Sequence, residues 1–555
     1  MIKSKNEALT AVTTDFVNQL SVTTLAELGA IEKNLLNEIE NEYDLHNSII
    51  QKEKKWRVPE YLEPWQISEI MRKVFSIRNI CCCPQNTDED YDLLGIYVDD
   101  FVASVIKDDS NYGIYVTSEN VIKSIAKYFK RGLTEKEQDE VLSDIKMFAK
   151  RVMRCDDRDM IAVNNGIFNY KTKQLESFDT DKVFLTKSHV DYIPSAVNPI
   201  IHDDNDDTDW DVESWMADLN DDPEIVNLLW EIIGAIIRPN VRWDKSAWLY
   251  SDTGNNGKGT LCELMRSICG NTSYAAIPLS DFSKDFALEP LTRAQAIIVD
   301  ENDVGTYIDK CANIKAVITN DVIQINRKFK TPVAYQFYGF MVQCLNEMPK
   351  IKDKSESFYR RQLFIPMTKC FTGIEKPYIK NDYLHREDVL QYVLKRVLEM
   401  NYYKLSEPES CTKALGEYKE FNDPTRQFWS EFREEFKWDL LPFTFLYDLF
   451  KEWSSLNNPS GKPIGKTTFI NELVQIVRKD DKWICLDKAK QKKVLWSNGY
   501  NRMDGPEPLI LEYNLTGWMS PTHKGRNKDL LATPVLSDRY RGIERIGFAD
   551  DTDEK

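Results

Sequence analysis

The segment that most narrows the possible folds of this chain lies at residues 247–269. Ala247-Trp-Leu-Tyr-Ser251 reads as a short apolar strand, Asp252-Thr-Gly-Asn-Asn-Gly-Lys-Gly-Thr260 is a glycine-bearing loop, and Leu261–Cys269 is apolar and compatible with a helix. A strand feeding such a loop and then a helix is a phosphate-binding arrangement: glycines let backbone N–H groups converge, and the helix N-terminus adds partial positive charge. Read this way, Gly254, Asn255, Asn256, Gly257, Lys258, Gly259 and Thr260 form the cradle, with Lys258 reaching the β- and γ-phosphates. The loop departs twice from G-x-x-x-x-G-K-[ST]: Asp252 takes the first glycine position, and Gly259 follows the lysine where a hydroxyl ordinarily holds Mg²⁺. Thr260 is then the substitute ligand. Taken alone, the stretch also reads as an ordinary glycine turn before a helix.

Further along, Ala296-Ile-Ile-Val299 has the look of a buried strand ending in Asp300-Glu301. Two acids at a strand's carboxyl end suit a phosphate-cleaving site, Asp300 holding Mg²⁺ through water and Glu301 polarising the attacking water. A third strand, Gly339–Leu345, ends at Asn346, which is placed to sense a γ-phosphate or simply to cap a loop. Arg360 and Arg361 precede the strand-like Leu363-Phe-Ile365, where an arginine can reach a neighbouring subunit's nucleotide. Between the acids and Asn346, residues 323–338 alternate at both ends around Arg327, Lys328 and Lys330, predicting a β-hairpin with a cationic tip. Basic residues interleaved with aromatics suit a single-stranded nucleic-acid backbone, while a solvated hairpin is the plainer reading.

Net charge at first opposes such a partner, since the 555 residues carry 72 Lys+Arg against 89 Asp+Glu, or −17. Eleven acids and no Lys or Arg fall within Asp203–Glu224, leaving −17 + 11 = −6 for the rest. Cys311–Cys370 has ten Lys+Arg and four Asp+Glu, a local +6, and Arg478–Arg502 has eight and three, a local +5. No apolar run approaches the roughly 18 residues of a membrane span and no signal-type h-region opens the chain, so a cytoplasmic protein without membrane contact is expected. The eleven cysteines make no C-x-x-C pair and read as reduced core residues.

The expected organisation is multidomain α/β: a helical region over residues 1–80, an α+β domain over 90–200, an acidic linker over 201–224, a parallel-sheet ATPase core with flanking helices over 225–400, a winged-helix-like DNA-binding domain over 425–500, and a C-terminal tail over 501–555. Helices are predicted at Glu119–Arg131, Glu135–Arg154, Glu224–Ile237, Arg386–Met400, Phe443–Trp453 and Thr467–Arg478, and Trp210, Trp215 and Met216 suggest that part of the acidic stretch is pinned to a surface.

With Lys258, Asp300-Glu301, the basic hairpin and Asn346 in that order, and 346 − 258 = 88 residues from lysine to asparagine, the chain resembles the superfamily-3 helicases. It looks most like the phage, poxvirus and mobile-element primase-helicase group, in particular the replication initiators of staphylococcal pathogenicity islands; Asn165-Gly-Ile-Phe-Asn-Tyr-Lys-Thr172 and Val190-Asp-Tyr-Ile-Pro194 are similar to the domain preceding the helicase in that group. The resemblance implies an AAA+ type homo-hexamer that binds ATP and Mg²⁺ between subunits and draws one DNA strand through its channel, 3′ to 5′. It assigns Lys258 and Thr260 to phosphate and metal, Asp300 to Mg²⁺, Glu301 to water activation, Asn346 to γ-phosphate sensing, Arg361 before Arg360 as the trans finger, and Lys328 and Lys330 to the pore hairpin. Single-stranded DNA, origin duplex and host replication proteins are the implied partners. Primase activity does not follow, because Asp90-Tyr-Asp92 and Asp157-Arg-Asp159 come after polar segments rather than a catalytic strand. The alternatives are an ATP-regulated origin-binding protein without unwinding and a nucleotide phosphotransferase.

Overall fold

The computed structural model describes residues 4–50, 55–83, 92–204, 207–303, 307–308, 310–328, 330–457, 463–485, 495–496, 503, 507–519 and 539–546. It divides into two units, Met1–Leu415 and Gly416–Lys555.

The first unit opens with helices Lys5–Gln19 and Leu25–Ser48, each started by a capping box, Ser4 with Glu7 and Thr24 with Glu27. The second helix buries Leu28, Ile31, Leu35, Ile39 and Tyr43 as one stripe. A helical stripe needs a partner surface. It finds one in helix Pro64–Val74 and a sheet ordered Tyr115–Val116, Leu93–Tyr97, Ile77–Cys81, Lys150–Met153, whose first three strands share one core with the helices. The boundary expected at residue 80 is therefore absent, because Ile77–Cys81 is an inner strand paired on both sides. The helix expected over 135–154 ends at Phe148, and Lys150–Met153 leaves it to join the sheet as an edge strand. Helix Glu119–Ala126 likewise stops short of Arg131. Cys81, Cys82 and Cys83 are buried here, as core residues.

The larger core surrounds a five-stranded sheet ordered Tyr274–Ala275, Ala296–Val299, Phe340–Leu345, Ser246–Tyr250, Gln362–Pro366. Every pairing in it is parallel. Counted along the chain the order is 2-3-4-1-5, consistent with an AAA+-like fold. The inner strands are largely apolar, with Ser246 and Gln343 as buried polar exceptions, because both faces are covered. Helices Pro223–Ile236, Lys258–Cys269 and Glu387–Glu399 pack against one another, and residues of all three enter the core around the sheet.

In place of the linker expected over 201–224 stands folded structure. Ile201–Asp203 and Thr208–Trp210 form a two-stranded ladder, and helix Val212–Asp218 follows, capped by Asp211. Trp210, Val212, Met216 and Leu219 enter the main core. The acids serve the backbone and neighbours: Asp222 caps helix Pro223–Ile236, and buried Asp203 accepts from the Tyr383 hydroxyl at 2.9 Å. The small sheet Met160–Val163, Gly166–Asn169, Gln174–Glu176 adds Ile161, Val163, Phe168 and Tyr170 to the same core.

The second unit follows the order helix Pro424–Phe432, strand Leu440–Pro442, helix Phe443–Asn457, helix Lys466–Val477, strand Trp483–Ile484 and strand Gly542–Arg545. The last strand sits between the other two. Residues from the expected tail thus supply the sheet's central strand, with Ile543 fully buried. Trp483 is buried as well, its indole donating to the Arg433 carbonyl at 3.2 Å. Most of the basic stretch over 478–502, including residues 486–494, lies outside the described residues.

No helix among the described residues is long and apolar enough to cross a membrane.

Candidate functional site

The carboxyl edge of the parallel sheet gathers the predicted phosphate chemistry, as it does in open α/β sheets generally. Ser246–Tyr250 delivers the loop of residues 252–257, and Ser251 N–H donates to the Leu345 carbonyl at 3.1 Å, placing Asn346 beside the loop's start. In the neighbouring pairing Val299 stands opposite Gln343, so Asp300 and Glu301 leave the same edge.

The loop turns through two left-handed residues, Asn255 at φ 53° and Gly257 at φ 82°. At Gly257 a side chain is excluded twice over, since a Cβ there would also lie 2.7 Å from Leu219 Cδ2. Gly257 is the N-cap of helix Lys258–Cys269 and has no side chain to occupy the helix's open N–H groups. The loop is fastened from outside: Phe371 N–H donates to the Asn255 carbonyl at 2.7 Å, and the Asn255 amide donates to Glu375 at 2.9 Å.

Lys258 is 4% exposed, and its Nζ has no hydrogen-bond partner among the described residues. Burial pushes its amine below the usual lysine range. A buried cation without a partner is costly unless an anion completes it, which is the fit a triphosphate offers. Asp300 is gripped by Arg266 of the same helix, Nη2 at 2.9 Å from Oδ1, and that guanidinium holds its carboxyl below the usual range. Glu301 and Asn346 are exposed. Asn302, buried behind them, donates to Gln343 Oε1 and the Cys344 carbonyl at 3.0 Å each and accepts from Leu279 N–H at 2.9 Å. It pins the turn that carries the two acids. Among the described residues no group of three His, Cys, Asp or Glu could hold a metal alone. Thr260 and Asp300 fit instead a Mg²⁺ that arrives with phosphate oxygens, since that ion keeps waters and takes few carboxylates.

Beside the loop opens a pocket of about 430 Å³. Gly257, Thr260 and Asn255 form one side, while Trp210, Trp215, Leu219, Phe371 and Ile374 supply an apolar wall, with Asp209, Asp211 and Asp218 among its polar groups. Sequence reasoning missed this wall, Arg266 and Asn302. The only signal was a pair of tryptophans inside an acidic run.

The predicted hairpin forms from Val322–Arg327 and Lys330–Gln336, with a bulge between Ile325 and Arg327. Its tip is engaged: Lys330 Nζ is 3.0 Å from Glu119, Arg327 is 4.0 Å from the same carboxylate, and the Arg327 guanidinium also donates to the Thr331 carbonyl at 2.9 and 3.1 Å. Lys328 is exposed. The hairpin's base is clamped by Arg154, which donates to the Tyr335 hydroxyl at 2.9 Å and the Gln336 carbonyl at 2.8 Å and lies 4.1 Å over the Tyr338 ring.

The two arginines differ. Arg361 folds back on its own turn, donating to the Ser357 carbonyl and, at 2.9 Å, to the Ser357 hydroxyl. Arg360 is exposed. Of the acidic pairs considered for priming, Asp92 is buried and held by Arg151 at 2.5 and 3.2 Å, while Asp90 lies outside the described residues. Asp157 caps the turn at Asp159, accepting from its N–H at 2.9 Å, and Asp159 accepts from the Tyr403 hydroxyl at 2.5 Å.

Three family descriptions match parts of the chain: D5 N terminal like over residues 37–233, a family of unknown function, DUF5906, over 249–361, and poxvirus D5 protein-like over 420–504. No curated protein matches. Solved structures of the NrS-1 C-terminal region are similar at 11, 13 and 12% identity, covering 75, 79 and 77% of this chain and 86, 98 and 97% of theirs, with TM-scores of 0.38, 0.41 and 0.40. The chain thus carries D5-like segments on both sides of a P-loop core with an AAA+-like sheet.

Proposed function

We propose that the protein is an ATP-driven DNA helicase and replication initiator, working as a homo-hexamer on single-stranded DNA with 3′ to 5′ polarity. The observation that carries the reading is the buried, unpartnered Lys258 amine at a sheet edge that also presents Asp300, Glu301 and Asn346. Loop N–H groups and Lys258 bind the β- and γ-phosphates, and the tryptophan-walled pocket takes the purine. Thr260 and Asp300 would hold a Mg²⁺ arriving with the nucleotide, which would supply positive charge against the phosphates. Glu301, exposed and free of the Arg266 grip, polarises the attacking water, and Asn346 orients it against the γ-phosphate. Arg361, whose Nη1 donates to Ser357 while its Nε stays buried without a partner among the described residues, is the first candidate to reach the neighbouring subunit's nucleotide, and exposed Arg360 the second.

Arg327, Lys328 and Lys330 contact the strand's phosphates. The order of helices and strands in the second unit supports a winged helix, with Lys466–Val477 entering the major groove of origin duplex. Lys466, Asn471, Gln475, Arg478 and Arg541 line one groove along that helix, with no acid among its lining residues. Host replication proteins are further partners. The narrower likeness to pathogenicity-island initiators rests on the motifs quoted above.

Strand displacement on forked DNA tests the reading. Wild type separates strands with ATP and Mg²⁺, Lys258→Ala binds no ATP, and Glu301→Gln binds ATP but does not unwind. Unwinding that survives Lys258→Ala rejects the proposal, and duplex binding without turnover favours the ATP-regulated origin-binding alternative.

A further inference from the structure

We propose that Lys380 is a second phosphate-binding cation of the nucleotide site, facing Lys258 across the start of the P-loop helix. The inference rests on the reading of residues 252–260 as a nucleotide loop. Lys380 belongs to the short helix Pro377–Asn381, which packs beside the P-loop helix and buries Ile379. It lines the same pocket as Gly257 and Thr260. Its amine comes so near the helix start that a Cβ built on Gly259 would lie 3.7 Å from Nζ.

The surrounding acids leave that amine available. Asp382 is taken by Arg386 at 2.7 and 3.2 Å, Glu375 by Asn255 at 2.9 Å, and Asp300 by Arg266 at 2.9 Å. Lys380 itself has no ion pair or hydrogen bond to any described residue, though its charge adds to that of Arg266 in keeping the Asp300 carboxyl low. Buried Lys258 and partly buried Lys380 both lie at the start of one helix, and neither has an ion pair or hydrogen bond among the described residues. A triphosphate supplies the missing negative charge, and cations fixed in advance around it stabilise the charge that develops on transfer.

This placement also accounts for the loop's second departure from the usual pattern. A side chain at position 259 would begin in van der Waals contact with the Lys380 amine and then occupy its approach to the phosphates. Glycine keeps that approach open, and the hydroxyl moves one residue on, to Thr260.

The test measures fluorescent ATP and ADP analogue affinities, and steady-state hydrolysis, on the full chain for wild type, Lys380→Ala and Lys380→Arg. Loss of a charge-assisted phosphate contact weakens ATP-analogue binding by about 10- to 100-fold. ADP-analogue binding falls less, and Lys380→Arg restores most of the difference. If Lys380→Ala lowers both affinities equally, or neither, the lysine serves only helix packing or solvation and the proposal is overturned. A shifted melting temperature without a change in the ATP to ADP ratio counts the same way. Failure of the underlying reading is distinguishable, because wild type would then bind neither analogue.

Discussion

Arg266 and Asp300 meet as a two-pronged pair, Nη2 to Oδ1 at 2.9 Å and Nη1 to Oδ2 at 3.2 Å, joining the last turn of the P-loop helix to the end of a core strand. Arg266 also touches Glu263 at 3.5 Å, yet its fork is aimed at the carboxylate proposed to face Mg²⁺. The guanidinium and the metal compete for the same oxygens. Removing the cation therefore favours the metal. Arg266→Gln is expected to lower the Mg²⁺ concentration for half-maximal hydrolysis by about 3- to 10-fold, while costing no more than about 1 kcal/mol of stability because the pair is partly solvated. A Mg²⁺ titration at fixed ATP checks this. A midpoint that rises assigns Arg266 to positioning the carboxylate instead.

Lys258 carries the opposite balance of stability and function. Its amine is desolvated and has no hydrogen-bond partner among the described residues, so Lys258→Met removes an uncompensated cost while keeping the stem's packing. The variant is expected to unfold at a higher temperature than wild type without nucleotide, by the equivalent of about 1 kcal/mol, and to show no stabilisation on adding ATP and Mg²⁺. Calorimetry with and without nucleotide reads both effects.

How far these features were legible in sequence depended on whether their signal was local. The strand, loop and helix around Lys258 declare themselves through apolar spacing and glycines, and the hairpin through alternation about Arg327 to Lys330. The Arg266 grip was not legible, because the partners are 34 residues apart and meet only once the helix lies on the sheet. Asp203–Glu224 misled for a related reason: some of its carboxylates act as helix caps and as a tyrosine's acceptor, so a composition typical of a linker belongs to a folded element anchored in the core by Trp210, Val212 and Met216. The chain between residues 478 and 546 likewise hid the second unit's central strand, which finds its partners only across a long separation.

Glu119 holds basic residues of the hairpin tip. Glu119 sits 3.0 Å from Lys330 and 4.0 Å from Arg327, so a DNA phosphate has to displace it. Glu119→Gln is expected to tighten single-strand binding about 3- to 10-fold, and Lys330→Ala to weaken it while making the slope of log affinity against log salt shallower by about 0.7. Fluorescence anisotropy over a salt series separates the two. Affinity unchanged by both variants places the strand elsewhere.

The far end of the P-loop helix gives the fold an acid limit. Gly270 closes that helix at φ 81°, and the His189 ring lies so close that a Cβ on the glycine would meet it at 2.3 Å. Burial pushes His189 down to about 4, the Lys187 cation adding to the effect and Asp108 opposing it, while Thr272 Oγ1 lies 3.0 Å from Nε2. The folded state thus keeps a neutral imidazole where the unfolded chain binds a proton. Between roughly pH 6.5 and 4 the unfolded state holds more protons, so stability falls as pH falls across that window and levels off below it. His189→Gln removes the titration and is expected to flatten denaturation midpoints measured from pH 7 to pH 4.5. An equally steep decline in that variant assigns the acid sensitivity to the carboxylates instead, whose loss lies lower, where Asp300 gives up its charge beside Arg266.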